Sequence, residues 1–149
     1  GDFDDHVYLL LEGAVRAFHV VEGKEYTDWF AIPGQFFCAI SSFFQDRPST
    51  HFYESIRKSV SLRIPRHVLL ALADTHHEVE RLMRKVVTES FLTLQDRLIY
   101  HRGKSAAFRY ADLARHSPEL IQQIPLKYIA SYLGISPETL SRIRNPQKS

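Results

Sequence analysis

From Tyr8 to Ile64 the chain carries short runs rich in Val, Ile, Phe and Tyr, separated by Glu22-Gly23-Lys24, Pro33-Gly34 and Asp46-Arg47-Pro48-Ser49. β-branched and aromatic side chains suit a pleated, half-buried surface, and Gly, Pro, Asp and Ser suit turns, so this half predicts short antiparallel strands closing into a barrel or roll. Val60, Leu62 and Ile64 alternate and then stop at Pro65, after which residues 68–73 turn helical in character. Residues 78–101 hold no Gly or Pro and place Val79, Leu82, Met83, Val86, Val87, Phe91, Leu94 and Leu98 at three- and four-residue steps. One long amphipathic helix is predicted there. Gly103 breaks it, Ser105 caps a helix over residues 106–116, and small linking helices follow Pro118. Strands first and helices afterwards make an α+β chain.

The apolar stripe of the long helix is too long for the small β portion to cover completely, which predicts a partner helix in a parallel homodimer through residues 78–101. The plainer alternative is a helix packed wholly on its own barrel.

The C-terminal pattern carries the most specific signal. Leu126-Lys-Tyr-Ile-Ala-Ser-Tyr-Leu-Gly-Ile-Ser-Pro-Glu-Thr-Leu-Ser-Arg-Ile-Arg144 predicts a helix, a tight turn and a second helix. Ala130 is small where crossing helices approach, and Gly134 stands where the backbone needs a positive φ to leave the first helix. Ile129, Leu133, Ile135, Leu140 and Ile143 recur on the buried side, leaving Lys127, Ser131, Glu138, Ser141, Arg142 and Arg144 outward. Ser136 followed by Pro137 starts the second helix, because the hydroxyl accepts from first-turn amides and proline at the first helical position loses no hydrogen bond. Such a second helix enters the DNA major groove with its early residues. Arginine donates two bonds to guanine and glutamate accepts from cytosine, so Glu138 and Arg142, four apart on one face, are candidate base readers. Ser136, Thr139 and Ser141 are candidate phosphate contacts. The same two helices also occur in helical domains that bind no DNA, with Glu138 and Arg142 an ordinary solvated pair.

Residues 128–144 closely resemble the DNA-reading segment of the Crp/Fnr family of bacterial transcription regulators. Tyr8-Leu-Leu-Leu-Glu-Gly-Ala-Val-Arg-Ala-Phe18 and Phe30-Ala-Ile-Pro-Gly-Gln-Phe-Phe37 are similar to the paired strands and glycine turn of that family's cyclic-nucleotide-binding barrel. The resemblance implies an effector-binding β-roll over residues 1–74, a dimerisation helix over 75–102 and a helix-turn-helix domain over 103–149. It further implies a homodimer on a near-palindromic double-stranded operator, with RNA polymerase as a further partner. Pro137 stands where better-known members carry another base-reading arginine, so the operator sequence does not carry over. Members continue into a β-hairpin wing after the second helix, and Asn145-Pro-Gln-Lys-Ser149 is too short for one, so the wing is expected to be truncated or absent. The start at Gly1 likewise suggests a trimmed N-terminal strand.

Phe36-Phe-Cys-Ala-Ile-Ser-Ser-Phe-Phe-Gln-Asp-Arg-Pro-Ser-Thr50 aligns with the family's phosphate-binding cassette. In cAMP-binding members the cassette supplies a glycine, a glutamate for the ribose hydroxyl and an arginine for the phosphate. Cys38, Ala39 and Ser49 occupy those positions here. Each lost partner costs on the order of 1.5 to 3 kcal/mol, so cAMP is expected to bind weakly or not at all. Another effector would have to use Cys38, Ala39, Ser41, Ser42, Arg47, Ser49 and Thr50, whereas Phe36, Phe37, Phe43 and Phe44 are expected to fill the barrel and leave no cavity. No cofactor is expected. Cys38 is a candidate redox sensor, though a lone thiol in an apolar run is ordinarily inert core. A single cysteine excludes four-cysteine iron-sulfur ligation, and His76-His77 and the other histidines show no metal-ligand spacing, so no metal site is expected.

Charge sharpens the division of labour. Residues 1–100 carry 11 Lys or Arg against 14 Asp or Glu, a net −3, and residues 101–149 carry 8 against 3, a net +5. A basic end suits a phosphate-binding module. With one cysteine, no signal peptide and no run of eighteen apolar residues, a reducing cytoplasm away from the membrane is expected. Paired carboxylates, a nucleophile elbow, a metal triad and a phosphate loop are all missing from the sequence, which leaves an enzyme the weakest class. The competing class is a ligand-binding or protein-interaction module that has lost DNA reading.

Overall fold

The computed structural model describes residues 2–145, and for residues 100–102 the backbone alone. In chain order the elements are β1 (His6–Val21), β2 (Lys24–Ala31), β3 (Phe36–Cys38), α1 (Ile40–Gln45), β4 (Phe52–Pro65), α2 (Arg66–Thr75), α3 (His77–Gly103), α4 (Ala106–His116), α5 (Pro118–Gln123), α6 (Leu126–Tyr132) and α7 (Pro137–Arg144). This is the α+β arrangement that the pattern predicts. The residues behind the expectation of a truncated or absent wing, 146–149, and Gly1 lie outside the described residues.

β1 is the spine of the roll. It pairs antiparallel with β4 along one edge, from His6 with Pro65 to Phe18 with Phe52. Its other edge is shared, β3 taking Val7 to Leu9 and β2 taking Val15 to Val21. The sequence suggests short strands, yet β1 runs 16 residues and β4 runs 14. They stay paired over that length because register irregularities between Leu10 and Val15 let the ladder bend. Gly13 makes one of those bends possible: at φ +95°, an added Cβ would lie 2.2 Å from Ser59 Oγ and 2.6 Å from the Lys58 carbonyl oxygen.

A second departure concerns residues 40–45, which form α1 and not a strand. Phe43 donates its amide to the Ala39 carbonyl at 2.8 Å and buries its ring almost completely, while Phe44 lies half-exposed. Burying one phenylalanine under the roll overrides the β preference of the run. Two apolar clusters result. Leu10, Val15 and Ala31 pack inside the roll with Trp29, Phe37 and Tyr53. The other cluster joins Ala14 of β1 to Ile124, Ile129, Ala130, Leu133 and Leu140, with Phe30 and Ile56 against it. The C-terminal helices therefore share their core with the sheet.

α3 behaves differently. Leu82, Val87, Phe91, Leu94 and Leu98 on its stripe remain 48 to 64% exposed. The alternative in which this helix packs wholly on its own barrel is overturned, since the roll reaches few of these side chains.

Candidate nucleic-acid interface and effector cavity

α6 ends and α7 begins through two sequence-encoded caps. Gly134 adopts φ +67°, donating its amide to the Ser131 carbonyl at 3.1 Å, while Ile135 donates to Ala130 at 3.0 Å. This pair of bonds closes the last turn in the left-handed manner that glycine permits without steric cost. Arg109 of α4 adds a guanidinium bond to the Leu133 carbonyl at 2.9 Å, placing a cation at a helix C-terminus. Ser136 then caps α7, its Oγ accepting from the Thr139 amide at 3.2 Å, and Pro137 occupies the first turn. Leu140 is fully buried and anchors α7.

Ser136, Pro137, Glu138, Ser141 and Arg142 are exposed, and Thr139 is half-buried. Arg142 donates to Thr139 Oγ1 at 3.4 Å. The Glu138 carboxyl is held below its ordinary range by its own backbone amide and the Ser136 hydroxyl, which together fix its charge near the start of the helix. The arrangement offers an anionic acceptor and a cationic fork on one open face.

One outward expectation fails. Ser131 faces β2, accepting from the Thr27 amide at 2.9 Å and donating to the Glu25 carbonyl at 3.3 Å. The strand offers an unpaired donor and acceptor at that point, and the small hydroxyl satisfies both. Around it α6 is fastened to the roll. Arg16, 3% exposed, binds the carboxylates of Glu25 and Glu54, and its guanidinium lies 3.9 Å from the Tyr128 ring centroid and 4.1 Å from that of Phe18. Tyr128 reaches Glu54 at 3.4 Å, Tyr132 packs on Phe30 at 5.4 Å, and Arg57 bonds Gln123 at 2.6 Å. Sequence reasoning missed Arg16. Its only signal was a charged residue on a strand otherwise rich in apolar positions.

The effector expectation fares less well. A cavity of about 200 Å³ opens in the roll, lined by Asp4, Tyr8, Leu10, Phe37, Ala39, Tyr53 and three serines, Ser55, Ser59 and Ser61. The aromatic residues do not fill the barrel, because Phe43 is buried in α1 and Phe44 points outward. Of the seven predicted pocket residues only Ala39 lines the cavity. Ser42 donates to the Arg47 carbonyl at 2.9 Å and Ser49 to the His51 carbonyl at 2.9 Å, so both hydroxyls close the loop on itself. Arg47 and Thr50 are exposed. Cys38 is half-buried, and burial pushes its thiol up to about 11. Tyr8 donates to Asp4 at 2.8 Å and is pushed up to about 12 by burial and that bond.

The fold also brings together histidines that linear spacing keeps apart. His19 Nδ1 lies 2.6 Å from Asp28 Oδ2, and His51 Nε2 lies 3.1 Å from the same oxygen. Burial pushes the Asp28 carboxyl upward, but hydrogen bonds from His51 and His19 outweigh it and hold the group below its ordinary range. Residues separated by 9 and 23 positions meet because β2 and β4 flank β1.

The cyclic nucleotide-binding domain family matches residues 1–76. No curated protein sequence matches the chain. Among solved structures, FixK2 from Bradyrhizobium japonicum is 22% identical with a TM-score of 0.79, covering 98% of this chain and 77% of that one. A CooA mutant from Carboxydothermus hydrogenoformans is 21% identical with a TM-score of 0.77, covering 96% and 67%. The c-di-GMP-responsive global regulator CLP of Xanthomonas campestris is 15% identical with a TM-score of 0.74, covering 98% and 78%. At these identities each likeness is one of fold.

Proposed function

The chain belongs to the cyclic nucleotide-binding domain family, and from that premise we propose that it is a sequence-specific, DNA-binding transcription regulator of the Crp/Fnr type, not an enzyme. The observation that carries this reading is the open face of α7, mounted on a glycine turn and a serine cap, with Glu138 and Arg142 exposed. In the major groove Arg142 donates to a guanine edge and Glu138 accepts from a cytosine amine. Ser136, Thr139 and Ser141 contact phosphate, and Pro137 fixes the entry of the helix. The net +5 of residues 101–149 attracts the backbone.

In this reading residues 1–74 form the effector-type roll, 75–102 the dimerisation helix and 103–149 the reading domain. The uncovered stripe of α3 supports a homodimer, whose two-fold axis matches a near-palindromic operator. RNA polymerase is the natural further partner, and the cytoplasm the natural setting. Among the described residues no helix is long and apolar enough to cross a membrane. Selection from a random duplex library tests the reading: the expected product is an inverted repeat, and a pool without enrichment favours the module that has lost DNA reading.

In this reading cAMP binds weakly or not at all. The cavity is small beside the roughly 300 to 1,000 Å³ of ordinary ligand sites. Its described lining residues include the Asp4 carboxylate, a like charge to a phosphodiester, with the Arg63 guanidinium beside Tyr8 as the cation at hand. Calorimetry is expected to find no saturable micromolar cAMP binding, and such binding would refute this part.

A further inference from the structure

The meeting of His19, Asp28 and His51 has a geometric cause. On β2, Trp29 pairs with Ala17 and Thr27 pairs with Phe18, so Asp28 is the extra residue of a β-bulge. Bulges re-aim side chains and recur beside functional sites. On the opposite edge of β1, Phe52 pairs with Phe18, which sets His51 beside His19 on the same face. The two imidazoles meet edge to face at 6.1 Å between centroids, and both aim at one carboxylate oxygen.

We propose that His19, Asp28 and His51 form a binding site for a divalent first-row transition ion of the zinc class, built on the bulge of β2. The ligand atoms all lie within 4.8 Å of one another. Bonds of about 2.1 Å in tetrahedral geometry separate ligand atoms by about 3.4 Å. The present separations of 2.6 and 3.1 Å therefore need to open by less than about 1 Å as an ion replaces the shared protons. Two imidazoles and a carboxylate favour zinc, cobalt, nickel or ferrous iron over calcium or magnesium, and leave a fourth position for water.

The surroundings hold the ligands in place. Thr50 Oγ1 lies 3.2 Å from His51 Nδ1, leaving Nε2 directed at Asp28. His19 stacks on Tyr26 with centroids 5.5 Å apart. The Asp28 carbonyl accepts from Arg97 of α3, whose guanidinium lies 4.6 Å from the Tyr132 ring centroid. Outer partners of this kind fix ring orientation in metal sites.

Cobalt(II) titration of the full chain, followed by visible d–d absorption and reversed by zinc, tests the site. The expected result is one saturable high-absorbance site per chain, weakened tenfold or more in His19→Ala and in His51→Ala and unchanged in His6→Ala. His6→Ala controls for the separate Asp4, Asp5 and His6 group at the other end of β1. Thermal melts of the same variants without metal confirm that each folds. No cobalt spectrum with the folded wild-type protein overturns the proposal, as does a spectrum that survives both histidine substitutions or vanishes in His6→Ala.

Discussion

Two consecutive helices of nearly equal length, α6 with seven residues and α7 with eight, stand in opposite relations to the roll. α6 lies against β2, tied by Ser131 to main-chain groups, by Tyr128 to the Arg16 cluster and by Tyr132 to Phe30. α7 touches the core mainly through Leu140, keeps Thr139 and Ile143 half-buried, and turns Glu138, Ser141 and Arg142 outward. The difference teaches that the exposed face of α7 is aimed by the helix before it. Where Glu138 and Arg142 point is decided by Arg16, Ser131 and Gly134, and Arg16 lies outside the proposed reading domain.

Breaking the anchor side of this comparison should have the largest effect. Arg16→Ala removes the cation between Glu25 and Glu54 and the contact over Tyr128. Loss of a fully buried pair costs about 3 to 5 kcal/mol, but Glu25 and Glu54 are 50% and 42% exposed in their side chains and rehydrate. The expected loss is about 2 kcal/mol in urea unfolding, accompanied by weaker operator binding because α7 loses its mounting. A variant as stable as wild type, with unchanged DNA affinity, would show that α6 is not the determinant.

Ser131→Ala is a smaller cut at the same contact. It leaves the amide of buried Thr27 without its acceptor, and the expected cost is about 1 kcal/mol. Stability within a few tenths of wild type would mean that water replaces the hydroxyl there. Ser131→Thr, which keeps the hydroxyl, should recover part of the loss.

The same contrast marks how much was legible in the sequence. α7 was readable because its signals are local: a Ser136-Pro137 start, a glycine turn, and apolar positions at helical steps. α3 was readable for the same reason, and its exposed stripe follows directly from the periodicity. The docking of α6 was not, since Ser131 looks outward on a helical wheel and only the approach of β2 gives it partners. α1 escaped because a run of phenylalanines carries a strand preference that the burial of Phe43 overrides. The cavity was not legible because the cassette alignment addresses a loop, whereas the cavity is walled by Tyr8, Phe37 and Tyr53 from strands on either side. His19, Asp28 and His51 were invisible in principle: a bulge of one residue redirects Asp28, and no spacing rule registers a ladder irregularity between Ala17 and Phe18.

The central claim is that the outward face of α7 reads bases. Its most direct measurement is library selection with wild type and Arg142→Ala side by side, the variant checked for an unchanged melt. A base-reading arginine predicts that the variant loses preference at one position in each half-site, a discrimination of about 1 to 3 kcal/mol, while the rest of the inverted repeat persists. A uniform loss at every position, or an identical selected sequence, would contradict it.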